Sequence, residues 1–95
     1  MRIEWTKLAN ADLKHIHAYI REDSPKAAIA VLASIRRAVR GQLATSPLSG
    51  RIGRVDGTRE LVVPRLPYIV AYRVTGTGVQ ILRVLHGAQR WPQGF

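Results

Sequence analysis

The chain has 95 residues with fifteen Lys and Arg against six Asp and Glu, a formal charge of +9, no cysteine and 46% apolar residues. At this size folding removes roughly 60–68% of the unfolded chain's surface, enough for one modest core, and the apolar content excludes an intrinsically disordered chain. The composition also excludes disulfides, thiolate nucleophiles and cysteine zinc sites, and no apolar run approaches the ~18 residues of a membrane span.

The first 20 residues carry Glu4, Lys7, Asp12, Lys14 and His15 where an export signal needs an apolar stretch. A single cytoplasmic domain over 1–95 is therefore expected. Arg2-Ile3-Glu4-Trp5 alternates apolar with polar and predicts a short strand. Thr6 then stands where a hydroxyl can accept a free N–H at a helix start. Leu8, Ala9, Leu13, Ile16 and Ile20 follow on one helical face. Ser24-Pro25 is a second start signal, a capping hydroxyl followed by proline at the first helical position. Ala28, Leu32, Ile35, Val39 and Leu43 continue at helical spacing, with Arg36, Arg37 and Arg40 around the other faces. Helices over 7–21 and 26–44, joined by a short turn, form a hairpin.

Beyond Leu43, residues 46–50 read as a loop and 51–57 as loop-like or weakly extended. Arg59–Val63 predicts a strand ended by Pro64. Tyr68–Val74 is apolar on most of both faces, which places it centrally in a sheet. Thr75–Gly78 turns the chain and Val79–Leu85 makes the last strand. The order predicts an α+β domain, β-α-α-β-β-β, in which the helical hairpin covers one face of a three-stranded antiparallel meander.

The charge is unevenly placed. Residues 1–23 hold four bases and four acids, whereas residues 24–95 hold eleven bases, ten of them arginine, against Asp56 and Glu60. Guanidinium forks pair with carboxylate and phosphate at two points, so an anionic partner is implied: nucleic acid, a nucleoprotein machine or an acidic protein. His15 and His17, two residues apart on a helix, point to different sides and predict no metal site. There is no nucleophile elbow for serine chemistry, and Gly76-Thr77-Gly78 is too short for a phosphate-binding loop. No metal or cofactor is expected. Residue types alone leave metal-free RNA cleavage open, with His86 as acid or base, Arg59, Arg65, Arg73 or Arg83 as the cation, and Tyr68 or Tyr72 as a donor.

Gly57-Thr58-Arg59-Glu60-Leu61-Val62-Val63, Tyr68–Val74 and Val79–Leu85 with His86-Gly87-Ala88-Gln89-Arg90-Trp91-Pro92 together resemble the RelE/ParE superfamily of bacterial toxins. The pattern of Arg-Glu-Leu, Tyr-x-x-x-Tyr-Arg and Ile-Leu-Arg-Val-Leu-His-Gly carries the likeness, which covers nearly the whole chain. The resemblance implies the toxin half of a type II toxin–antitoxin module, bound by a flexible acidic antitoxin. It implies one of two actions: RelE-like cleavage of mRNA on the ribosome, or ParE-like, non-nucleolytic inhibition of DNA gyrase. RelE-like nucleases carry an arginine about where this chain has Ile69 and a basic residue about where it has His86-Gly87. Their tails commonly end in a catalytic tyrosine or a His-Tyr pair, whereas this one reads Arg90-Trp91-Pro92-Gln93-Gly94-Phe95. Losing one preorganised contact to a transition state costs on the order of 3 kcal/mol, about a hundredfold in rate. The ParE-like branch is therefore favoured, with Arg59, Arg65, Arg73, Arg83, His86, Arg90 and Trp91 as candidate contacts for target or antitoxin. If the chain is a nuclease, Arg59, Arg73, Arg83 and His86 are the catalytic candidates. A non-toxic, basic nucleic-acid-binding domain is the remaining alternative.

Overall fold

The structure, a computed structural model, describes residues 1–95. Strand β1 (Arg2–Trp5) runs into helix α1 (Lys7–Arg21) through Thr6, whose hydroxyl accepts from the Ala9 N–H. The same hydroxyl donates to the Ile81 carbonyl at 2.8 Å, so one side chain caps the helix and ties its start to the last strand. Ser24 caps helix α2 (Pro25–Ala38) by accepting from the Ala27 N–H, with Pro25 at the first position as the sequence predicts.

The second helix does not run on as a plain α-helix to residue 44. Residues Val39–Leu43 form a π turn. In an α-helix of 3.6 residues per turn, each four-residue step overshoots the face by about 40°, so Ile35, Val39 and Leu43 drift off line. The wider turn keeps all three in the core, where each is at most 1% exposed.

Four more strands complete the sheet: β2 (Arg51–Ile52), β3 (Arg59–Val62), β4 (Tyr68–Val74) and β5 (Gly78–His86). Their order is β1-β5-β4-β3-β2, with β1 parallel to β5 and every other pair antiparallel. The predicted meander is present, and β4 is the middle strand, buried from Tyr68 to Tyr72. The sheet is wider than the meander, because the weakly extended segment contributes β2 and the N-terminal strand joins the opposite edge.

Val70, Tyr72, Leu61, Val63, Val79, Ile81 and Val84 pack against Ala9, Leu13, Ile35, Val39 and Leu43. Alternation turns Glu60, Ile69, Ala71 and Leu85 to the other face. The register of β4 and β5 slips once: Tyr72 pairs with Ile81 and Ala71 with Arg83, leaving Leu82 as an extra residue. This bulge re-aims the later residues of β5.

Tyr72 is fully buried and its hydroxyl is satisfied twice. It accepts from the Gly50 N–H at 2.9 Å and donates to the Pro47 carbonyl at 2.8 Å, fastening the loop after α2 to the middle strand. Burial raises the Tyr72 pKa above its ordinary value, against the opposing hydrogen bond from Gly50. Gly50 must lack a side chain, since a Cβ there would sit 2.5 Å from the Tyr72 oxygen. Tyr72→Phe strands both loop groups, and about 1–3 kcal/mol of stability should be lost in denaturant unfolding.

Candidate functional site

The nine residues after β5 fold back toward the sheet, and a buried carboxylate organises their surroundings. Glu60, with its side chain 2% exposed, faces away from the helices on β3. Its Oε1 accepts from Arg51 Nε (3.1 Å) and Nη2 (2.9 Å) and from Arg54 Nη2 (3.1 Å). Its Oε2 accepts from Arg54 Nε (3.0 Å) and from the Arg54 backbone N–H (2.9 Å). Arg51 reaches it because β2 pairs Arg51 with Glu60 across the ladder. Arg54 reaches it because the loop reverses through Gly57, at φ 77°, with the Thr58 hydroxyl donating to the Val55 carbonyl. Burial pushes the Glu60 carboxyl up, but the hydrogen bonds from Arg54 and Arg51 outweigh it and hold the pKa below the ordinary 4.5.

Arg54 also lies over the Trp91 ring, 3.7 Å from its centroid. The guanidinium is thus held between a carboxylate and an indole, and it connects β3 to the tail. Trp91 Nε1 donates to the His86 carbonyl at 3.4 Å, and the Trp91 ring lies 6.5 Å from that of Phe95. His86 is half-buried, edge-on to Tyr68 with centroids 5.7 Å apart. Its Nδ1 accepts from the Ala88 N–H at 3.0 Å, which leaves the proton of the neutral ring on Nε2.

A second carboxylate fixes the last strand. Asp12 on α1 accepts from Arg83 Nε at 2.8 Å and Nη2 at 3.0 Å, and from the Val84 backbone N–H at 2.8 Å. Strand β1 pairs with β5 only as far as Ile81, so the later part of that edge lacks a neighbouring strand. Asp12 takes the place of one. Beyond it, Gln89 Oε1 accepts from the His86 N–H at 2.7 Å. The Asp12 hydrogen bond, set against burial, raises the Arg83 pKa and keeps the guanidinium charged.

The seven residues singled out from sequence are not gathered into one cluster. Trp91 and His86 meet. Arg59 Nη1 is spent on the Leu48 and Gly50 carbonyls, at 3.2 and 2.8 Å. Arg73 Nε donates to Gln80 Oε1 at 2.6 Å, on an exposed part of the sheet. Arg83 is occupied by Asp12. Arg65 is exposed in the β3–β4 turn on left-handed backbone, φ 65°, and Arg90 is exposed in the tail. Tyr68 and Tyr72, considered as proton donors, are core residues. Asp12, Arg51, Arg54 and Glu60 were not singled out, although acids are so scarce after residue 23 that Glu60 invites attention on that ground alone. No three His, Asp or Glu side chains converge as a metal site would require.

A family model described as "ParE toxin of type II toxin-antitoxin system, parDE" matches residues 3–91. The chain belongs to the ParE toxin family. It is 50% identical over 92 residues to the candidate toxin Y4kP of Sinorhizobium fredii, covering 97% of this chain and 94% of that one. It is 35% identical over 88 residues to toxin RelE2 of Caulobacter vibrioides, covering 93% and 97%. Among solved structures, the chromosomal ParDE TA system from P. aeruginosa superposes with a TM-score of 0.79 at 33% identity, covering 90% of this chain and 95% of that one. This ParE-family chain thus has the α+β fold expected from its sequence.

Two measurements check the carboxylates. Asp12→Ala leaves Arg83 and the Val84 N–H unpaired, and about 3 kcal/mol should be lost in chemical denaturation. Asp12→Asn, which keeps an acceptor, should lose less. Glu60 has a depressed pKa in the folded chain, so its contribution is full above the unfolded value near 4.5 and falls away as pH drops through the folded value. The wild type should therefore lose stability below about pH 4.5 more steeply than Glu60→Gln, as read from melting temperature against pH.

Proposed function

We propose that this ParE-family toxin arrests growth by inhibiting DNA gyrase and is neutralised by an acidic antitoxin. The observation that carries the reading is the engagement of Arg83. A nuclease must present a preorganised, unpaired cation to the crowded phosphorane. Here the guanidinium of the last strand is held at two points by Asp12, and that of β3 is occupied by backbone carbonyls. Ile69, where the resemblance to RelE-like nucleases would place another arginine, is buried and apolar. These residues serve the fold, which favours binding over phosphoryl chemistry as the role of the sheet.

Two surfaces suit the two partners. The groove between α1 and α2, about 500 Å³, has Leu13, Ala18 and Leu32 at its base and Lys14, Arg21 and Arg36 along it. An amphipathic acidic antitoxin segment would set apolar side chains on that base and carboxylates on that rim. The half-buried His86 and Trp91, with the exposed Arg90 of the tail and the exposed Arg65, form the candidate contact for gyrase. The net charge of +9 speeds encounter with an acidic segment. Ribosome-dependent mRNA cleavage is the second reading, and the relative named RelE2 speaks for it.

Purified protein tested in parallel on gyrase supercoiling and on mRNA in translating ribosomes separates the two. Supercoiling should be inhibited and the mRNA left intact, and inhibition should be relieved by the acidic antitoxin. Codon-phased mRNA cleavage abolished by Arg83→Ala or His86→Ala, with supercoiling untouched, would replace gyrase by the ribosome as target.

A further inference from the structure

The second half of α2 and the π turn carry a strongly basic surface of which the proposed action uses only Arg36. Between Asp23 and Asp56 the chain has no acidic residue, while Lys26, Arg36, Arg37, Arg40, Arg51 and Arg54 fall in that interval. Arg51 and Arg54 are committed to Glu60. Arg36, Arg37 and Arg40 are exposed, and none takes part in an ion pair or a side-chain hydrogen bond. Three unpaired guanidiniums within five residues repel one another, a cost that an anion laid across them would relieve.

The shape around them narrows the kind of anion. One depression is lined by Ala33, Arg36, Arg37, Arg40 and Gly41. Its small residues, Ala33 and Gly41, let a bulky ridge approach the helix closely between arginine side chains. The adjoining depression is lined by Arg37, Ala38, Gly41, Gln42, Thr45 and Ser46. Amide, hydroxyl and guanidinium donors without a carboxylate are the set that contacts sugar-phosphate backbone. An acidic peptide would need an apolar pocket to anchor it, and each of these depressions offers a single alanine as its apolar residue. The α1–α2 groove has that apolar base, and so does the depression of Ile3, Trp5 and Val39 on the β1 side of Arg36 and Arg40; Arg37, Gln42, Thr45 and Ser46 line neither.

Spacing agrees with a regular polyanion. Arg36 and Arg40 stand one turn apart, about 6 Å along the axis, close to the separation of successive phosphates on one strand. We propose that Arg36, Arg37 and Arg40, with Gln42, Thr45 and Ser46, form a sequence-independent binding surface for the phosphate backbone of duplex DNA. The surface holds the toxin on DNA without reading bases; it is separate from the tail and shares only Arg36 with the groove.

The test uses the full-length protein, a fluorescein-labelled mixed-sequence duplex and fluorescence anisotropy over a range of KCl concentrations. Gyrase is absent, so a wrong choice of target leaves the result intact. Binding should weaken as salt rises, and Arg37→Ala/Arg40→Ala should reduce the salt slope by about 1.8, at ~0.9 for each phosphate no longer neutralised. Arg36 is kept because it also lines the groove. Lys7→Ala/Lys26→Ala, which removes the same two charges from exposed positions outside every proposed contact, should retain the wild-type slope. Arg37→Lys/Arg40→Lys should restore most of the binding and shows that the loss in the alanine pair is one of charge. No binding at low salt, equal losses in both alanine pairs, or displacement of the duplex by poly-glutamate as readily as by unlabelled duplex would each overturn the proposal.

Discussion

The carboxylate of Asp12 is the constraint on which the rest of the arrangement depends. A strand edge leaves backbone groups without partners, and β1 covers only the first part of β5. A longer β1 would close the edge, but the chain must leave the sheet at Thr6 to begin α1. Asp12 resolves the conflict by accepting from the Val84 N–H just past the bulge. Its negative charge near the core then requires a counter-ion, and Arg83 supplies one in a two-point contact. Helix position, bulge and ion pair are one solution to one edge.

The same logic explains why so basic a chain keeps so few cations free on its sheet. Glu60 is buried opposite the helices, and a lone carboxylate there would be expensive. Two guanidiniums surround it, and one of them continues to Trp91. The tail is thus attached through a carboxylate two strands away. What remains unpaired is the surface around Arg36, Arg37 and Arg40, the exposed Arg65 and Arg90, and Arg2, Lys7, Lys14, Arg21 and Lys26 of the first strand and the two helices. The charge excess becomes a property of particular surfaces instead of a uniform halo.

Family membership and pairing state answer different questions. The match over residues 3–91 and the likeness to a ParDE structure establish a type II toxin of the ParE family. They leave open what each arginine does. Arg83 looks like a free cation on a strand until Asp12 is placed beside it, 71 positions away in the chain.

Much of the fold was legible in the sequence because local rules agree along the chain. Thr6 and Ser24-Pro25 mark both helix starts, and the two-faced apolar run at Tyr68–Ala71 marks the middle strand, since only a strand covered on both sides tolerates it. The site was less legible. Tyr68 and Tyr72 have residue types suited to chemistry, yet they serve packing and loop attachment. Glu60 and Asp12 are ordinary acids in sequence, and their roles arise from contacts with Arg51, Arg54 and Arg83. Strand and helix boundaries follow from caps, turns and periodicity, which act within a few residues. Pairing of charges, the π turn and the register slip follow from which distant groups are brought within 3 Å and shielded from water, and only the tertiary structure decides that.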